Sequence, residues 1–403
     1  MQWSLCLAIV LVLTLPAADL QFAGLADQPQ IKDSLRLANI LMNRPIEGPS
    51  LRKDCRMLNA TDFQRIISAV NAAKADTRIR PNVHDAFSYL HAHPDVNKGA
   101  HLGPSFLPYH RVFIFLYEKL LRIYDRNISL CFWDSSAEPE KMTWSALWTP
   151  ELFGNVQGLV STGFAKGWVT PLRALDRQGM LYWTCATQGR PMTDDDVKVV
   201  LSKKRLGEIS MPAAEVNANV ELMHNYVHTY VGGIMGQVQT AAYDPIFWFH
   251  HTFIDCLYEK FQRRQRELGI DPMRDWPVEH ADDAHGPFAP MRLGSLRNID
   301  GAQEFFSREI VRCEHIPPCT NDTECGEYMR CDKARQKCVS DTLRPAMELG
   351  TMWSSVENLL TSMLRGRLSS QNDPLQASSF GFGMVFQQPE LFAFSGSGNT
   401  KKM

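Results

Sequence analysis

His101–Arg111 reads HLGPSFLPYHR, two histidines nine residues apart at the ends of a stiff apolar segment. Pro104 and Pro108 fix the shape of that segment, because the pyrrolidine ring locks φ at about −65°. A packed core has no use for an imidazole at each end of a rigid run. A metal ion does, since its donors must be held at set positions. The stretch therefore raises the question of where the other histidines lie.

Nine of the twelve histidines fall in two windows, residues 84–110 and 224–251. In the second window HNYVH places His224 and His228 four apart, so on a helix both imidazoles project from one face. His250 and His251 are adjacent and diverge by about 100° on a helix, so only one of them should face the same ion. In the first window His91 is the leading third donor beside His101 and His110, with His93 and His84 as competitors. His91 and His93 sit two apart, on different sides of a short helix. Solvated or core histidines are the plain alternative for either window alone, and the repetition of a three-histidine arrangement argues against it. All-imidazole donor sets suit zinc, copper, iron or nickel and exclude the oxygen-seeking calcium and magnesium. Three neutral imidazoles hold Cu(I) and leave positions open for dioxygen, while catalytic zinc fits the same ligand type.

The chain around these windows has 403 residues, 44% of them hydrophobic and 21% charged, with a formal net charge of −2. That balance offers no electrostatic case for nucleic-acid or anionic-membrane binding. The apolar run Leu5–Leu15 is followed by Ala17 and Ala18, the pattern of a secretory signal peptide over residues 1–18, with cleavage after Ala23 as the alternative. No later segment has the uninterrupted apolar length of a membrane span. Asn59, Asn127 and Asn321 head N-x-S/T sequons, as expected of an exported glycoprotein. Ten cysteines less Cys6 leave an odd number. Cys319, Cys325, Cys331 and Cys338 are evenly spaced and read as a small disulfide-stapled module over residues 313–340, lacking the C-x-x-C pairs of a zinc knuckle. One thiol among Cys55, Cys131, Cys185, Cys256 and Cys313 is left free or paired between chains.

Helical patterns run over TDFQRIISAVNAAKAD from Thr61, with a Thr-x-x-Gln capping box, over HDAFSYLHAHP as a second short helix stopped at Pro94, and from Arg111 to Asp125. Two more run from Ala214 to about Val231, stopped by Gly232-Gly233, and from Asp244-Pro245 to Gly269. Residues 138–189 read as long loops. The main domain spans about residues 30–306, and the Ser/Gly/Phe-rich stretch 341–403 reads as a low-complexity tail.

Three motifs in order, HLGPSFLPYHR from His101, HNYVHTYVGG from His224 and DPIFWFHHTFID from Asp244, resemble the type 3 copper proteins: tyrosinases, catechol oxidases and molluscan haemocyanin units. The exported form with a cysteine-rich module is most similar to secreted molluscan tyrosinase-like proteins of shell matrix. The resemblance implies a mainly α fold, a four-helix bundle holding two copper ions, each bound by three histidines. Residue by residue it gives His91, His101 and His110 to the first copper and His224, His228 and His251 to the second, with His93 still possible in place of His91. Asn225 matches an asparagine that orients a water near the coppers, and Glu215 the carboxylate that works with it. Arg111 and Asp255 resemble structural salt-bridge partners. Two positions depart from the family. Gly99 replaces a cysteine that in some relatives is cross-linked to the second histidine, and Cys131 replaces a proline and is free to enter a disulfide.

The resemblance implies a secreted oxidase that uses dioxygen to convert phenols, catechols or protein-bound tyrosine to o-quinones. Matrix cross-linking or pigmentation would follow, with no nucleic-acid or membrane partner. A haemocyanin-like dioxygen carrier or a structural matrix protein on the same fold is the alternative.

Overall fold

The computed structural model describes residues 29–46, 48–138, 144–171, 179–280 and 282–341. The expected signal peptide and all but the first residue of the expected tail lie outside them. Eight helices are found among the described residues: α1 (Pro29–Asn43), α2 (Ala60–Ala75), α3 (Val83–Ala92), α4 (Phe106–Leu121), α5 (Asp194–Ser202), α6 (Val220–Val231), α7 (Val238–Ala241) and α8 (Pro245–Glu267). The strands are short: β1 (Ser50–Lys53), β2 (Gln157–Leu159), β3 (Tyr182–Thr184), β4 (Val311–Glu314), β5 (Met329–Asp332) and β6 (Lys337–Ser340). Over the described residues the protein is mainly α, as the resemblance implies.

Helix α4 is the centre of the fold. All sixteen of its residues are buried, and it packs against α1, α2 and α8, while α3 packs against α1 and α2. It begins at Phe106, five residues earlier than the pattern after His110 predicts. Pro108 falls in its first turn, where a missing N–H has no intrahelical partner to lose. That early start is what puts His110 on a helix. Asp244 caps α8 by accepting the Ile246 N–H at 2.9 Å, Pro245 takes the first helical position, and Gly269 follows in the left-handed region. This is the start and stop that the sequence predicts. Helix α6 instead begins at Val220, capped by Asn219, so residues 214–219 fall outside it. Helix α2 is capped by Asn59, whose side chain accepts the Asp62 N–H, two residues before the expected box at Thr61.

Buried charge ties the core together. Arg52 of β1 pairs with Glu118 of α4 at 2.9 Å and with Asp255 of α8 at 2.7 Å, and Arg111 of α4 reaches the other Asp255 oxygen at 2.7 Å. Removing any one member would strand an opposite charge in a dry interior, which is far costlier than losing the pair outright. The expected Arg111–Asp255 bridge is present.

Disulfides close the remaining gaps. Cys55–Cys131 fastens the chain after β1 to the segment after α4, so the cysteine in the place of proline is used in this way. Cys256–Cys313 joins α8 to β4, and β4 pairs in parallel with β1, Ser50 opposite Val311. In the module, Cys319–Cys331 and Cys325–Cys338 staple the β5–β6 hairpin. Lys337 and Arg335 dock it on Asp194 of α5. Among the described residues Cys185 is the free thiol, and it is buried. Between residues 144 and 189 the described chain is irregular apart from the antiparallel β2–β3 pair.

Candidate metal centre

His91 occupies the last turn of α3, His101 the loop between α3 and α4, and His110 the second turn of α4. Their Nε2 atoms converge, His91 lying 3.2 Å from His101 and 3.3 Å from His110. The second group is tighter. His224 and His228, one turn apart on α6, bring their Nε2 atoms to 2.7 Å. Nε2 of His251 on α8 completes the triangle at 2.9 and 3.0 Å. His110 and His251 stack with ring centroids 4.4 Å apart, so the two triads face one another.

The other ring nitrogen shows why these contacts are not ordinary hydrogen bonds. Nδ1 of His110 donates to the Phe106 carbonyl at 2.9 Å, and Nδ1 of His228 to the Met235 carbonyl at 2.8 Å. A neutral imidazole carries one proton, so Nε2 of each presents a lone pair to the centre. Burial keeps the rings neutral. It holds His110 down to about 3 and His228 down to about 4, and it drives His91, His101, His224 and His251 well below the ordinary histidine value. Lone pairs crowded at these separations repel unless a cation lies among them. Metal–nitrogen bonds of about 2.0–2.1 Å set tetrahedral donors about 3.3 Å apart, close to the spacing of the first triad. The donors present fit a pair of imidazole-bound metal ions.

Apolar rings wall the centre. Phe247 lies 4.0 Å from His251 and 4.9 Å from His91, and Phe106 lies 4.7 Å from His110 and 4.9 Å from His224. His101 alone among the six is only partly buried.

The competing histidines are placed elsewhere. His250 has a ring nitrogen within 4.8 Å of the His224 and His228 donors. Its Nε2, however, is directed at the His224 carbonyl at 3.3 Å, and its ring stacks flat on His224. His251 alone has its Nε2 at the centre of that triad. His93 caps α3 and accepts the Asp95 N–H through Nδ1. His84 is a core histidine hydrogen-bonded to Tyr117.

Glu215 is not brought to the centre. Its side chain is 74% exposed and pairs with Lys203 at 3.6 Å. It precedes the start of α6, so nothing carries it on to the ligand face. Asn225, beside His224, is half-buried.

The carboxylate that does reach the site is Glu221, in the first turn of α6 and 3% exposed. Both its oxygens accept the Leu102 N–H, at 2.7 and 2.9 Å, and burial pushes it up to about 8. It stands three residues before His224, yet an acidic residue in a first helical turn reads as ordinary dipole compensation. A second unforeseen residue grips the same loop from the other side. His285 is 2% exposed, its Nδ1 lies 2.6 Å from Ser105 Oγ, and its ring fills the space that a Cβ on Gly103 would occupy. No local motif announces a contact between residues so far apart.

The family model described as the common central domain of tyrosinase matches residues 81–264, the span that holds both triads. A tyrosinase-like protein of Pinctada maxima is 32% identical over 308 residues, covering 70% of this chain and 66% of the relative. A tyrosinase of Streptomyces lincolnensis is 31% identical over 276 residues, 64% of this chain and 98% of the relative. The chain thus spans the bacterial protein almost completely and 66% of the molluscan one. Deoxygenated hemocyanin from Rapana thomasiana aligns over 66% of this chain and 70% of its own at 20% identity, with a TM-score of 0.49.

Proposed function

The chain belongs to the tyrosinase family, and from that premise we propose that it is an exported dicopper oxidase converting phenols, o-diphenols or both to o-quinones with dioxygen. The observation that carries the reading is the convergence of six neutral imidazoles in two facing triads. His91, His101 and His110 would hold one copper, and His224, His228 and His251 the other. Bound copper supplies the redox chemistry with dioxygen.

The chain's own residues do the rest. The Nδ1–H bonds of His110 and His228 fix the tautomers that leave Nε2 free for the metal. Phe106 and Phe247 keep water from the inner faces of the rings. Glu221, which burial raises to about 8, takes the place proposed for Glu215: its ionised form receives a phenol's proton, with Asn225 one turn further along the same helix. The partly exposed edge of His101 gives the aromatic ring, free or as a protein-bound tyrosine, its approach. Quinones react with lysine and cysteine side chains, so extracellular matrix cross-linking or pigmentation is the biological role that follows from export.

Oxygen uptake by the copper-loaded protein, first with a simple monophenol and then with a catechol, tests the reading, with His101→Ala as control. Uptake with both substrates, lost in the variant, establishes a tyrosinase. Uptake with catechol alone establishes a catechol oxidase. No uptake despite bound copper refutes the enzyme and leaves a dioxygen carrier or a matrix protein.

A further inference from the structure

A line of aromatic side chains begins one helical turn from His251 and leads away from the histidine triads. Trp248 lies three residues before His251 on α8, one helical turn away. Its indole stacks on the Tyr117 ring, with centroids 3.6 Å apart and planes 11° from parallel. The Tyr117 hydroxyl lies 2.9 Å from Nδ1 of His84. Nε2 of His84 faces the Tyr243 carbonyl at 3.4 Å. A carbonyl only accepts, so the His84 proton sits on Nε2 and Nδ1 is the acceptor for the Tyr117 O–H. Beyond His84, with centroids 5.1 Å apart, lies Trp168, which is 7% exposed against 1% or less for the rings behind it. Space-filling does not demand this chemistry. A phenylalanine at position 117 would occupy nearly the same volume without burying a hydroxyl, but it would leave Nδ1 of the buried His84 without this partner.

We propose that Trp248, Tyr117 and His84 form a relay that conducts an oxidising equivalent from the histidine triads outward to Trp168. The inference rests on reading the triads as a dicopper oxidase site. The oxidant is the one that dioxygen generates at the metals when no phenol is bound at the centre to consume it. Trp248 gives one electron to the centre and is left as a cation radical. Its Nε1 is buried with no hydrogen-bond partner among the described residues, so no base there takes its proton. Tyr117 then refills Trp248 with one electron and passes its hydroxyl proton to Nδ1 of His84, giving a neutral tyrosyl radical and an imidazolium. A tyrosine that has lost an electron is a strong acid, so even a buried, weakly basic imidazole accepts its proton. Trp168 returns an electron to Tyr117, the proton goes back from His84, and a soluble phenol or similar one-electron reductant refills Trp168 at the surface. The gain is that the oxidant does not consume the histidine ligands.

Two readouts test this on the full chain. In the metal-free protein, a photogenerated one-electron oxidant in solution should produce a tyrosyl radical by electron paramagnetic resonance. Tyr117→Phe should remove that signal, and Trp168→Phe, at the outer end, should change its yield and lifetime. In the copper-loaded protein, Tyr117→Phe should keep the initial rate of catechol oxidation and lose several-fold in the number of turnovers before inactivation, with oxidised histidine appearing by mass spectrometry. A radical signal unchanged in both variants, or equal turnover numbers in native and Tyr117→Phe proteins, overturns the relay. A radical that follows Tyr117 in a protein without oxidase activity supports the relay while refuting the oxidase reading, so the two fail separately.

Discussion

The two triads are chemically alike and are built differently. The second takes two of its histidines from consecutive turns of α6 and the third from the neighbouring α8, so regular helix geometry places every donor. The first takes one from the end of α3, one from the start of α4, and His101 from the loop between them. Local hydrogen bonds shape that loop, among them Ala100 N–H to the Asn97 carbonyl at 2.8 Å and Asn97 Nδ2 to the His91 carbonyl at 2.7 Å, but they do not aim it at the other donors. It is gripped from outside, by Glu221 on the Leu102 N–H and by His285 against Gly103 and Ser105. The second triad is thus a product of secondary structure and the first a product of tertiary contact.

The comparison breaks most sharply at the donors themselves. His228→Ala should lower bound copper from two ions to one and cut oxygen uptake by at least about 100-fold, read by metal analysis alongside rate. If uptake survives, the second triad is not the site.

Titration of Glu221 gives the next effect. In the unfolded chain this carboxyl ionises near 4.5, and in the folded protein at about 8. Between those values the folded state holds a proton that the unfolded state has lost. The group's contribution to stability is therefore greatest below the unfolded value, falls as pH rises through the interval, and is level above the folded value. Urea midpoints of the metal-free protein, taken from about pH 5 to about pH 9, should show this slope, and Glu221→Gln should flatten it. An equal slope in the variant would mean that the carboxyl is not held protonated.

Gly103→Ala should destabilise by about 1–3 kcal/mol, because its methyl would stand within 2.6 Å of three His285 ring atoms. The same measurement should show the first triad losing copper affinity and the second keeping it. Smallest of all, Glu215→Gln should change stability by less than about 0.5 kcal/mol and leave oxidation rates alone, since its pair with Lys203 is exposed. A large rate loss in that variant would restore Glu215 to the site.

These differences also explain what the sequence disclosed. The four-residue spacing of His224 and His228, the Asp244-Pro245 start of α8 and the divergence of His250 from His251 follow from helix periodicity, and the structure has each of them. The choice among His84, His91 and His93 did not follow, because it depends on where a short helix ends against its neighbours. The early start of α4 was hidden by Pro104 and Pro108, which read as loop punctuation although Pro108 is at home in a first turn. Glu215 was misplaced because a motif spacing was carried across a segment that here is not helical. His285 is far from its loop in sequence, so only folding brings it there.

The Glu221 contact has one more consequence. The carboxylate belongs to the helix that carries His224 and His228, but its hydrogen bond is to the residue after His101. Any shift of α6 as it settles around an ion in the second triad is transmitted directly to the loop of the first. Whatever fixes the His224–His228 pair would thus also fix the backbone beside His101, so that neither triad is set independently of the other.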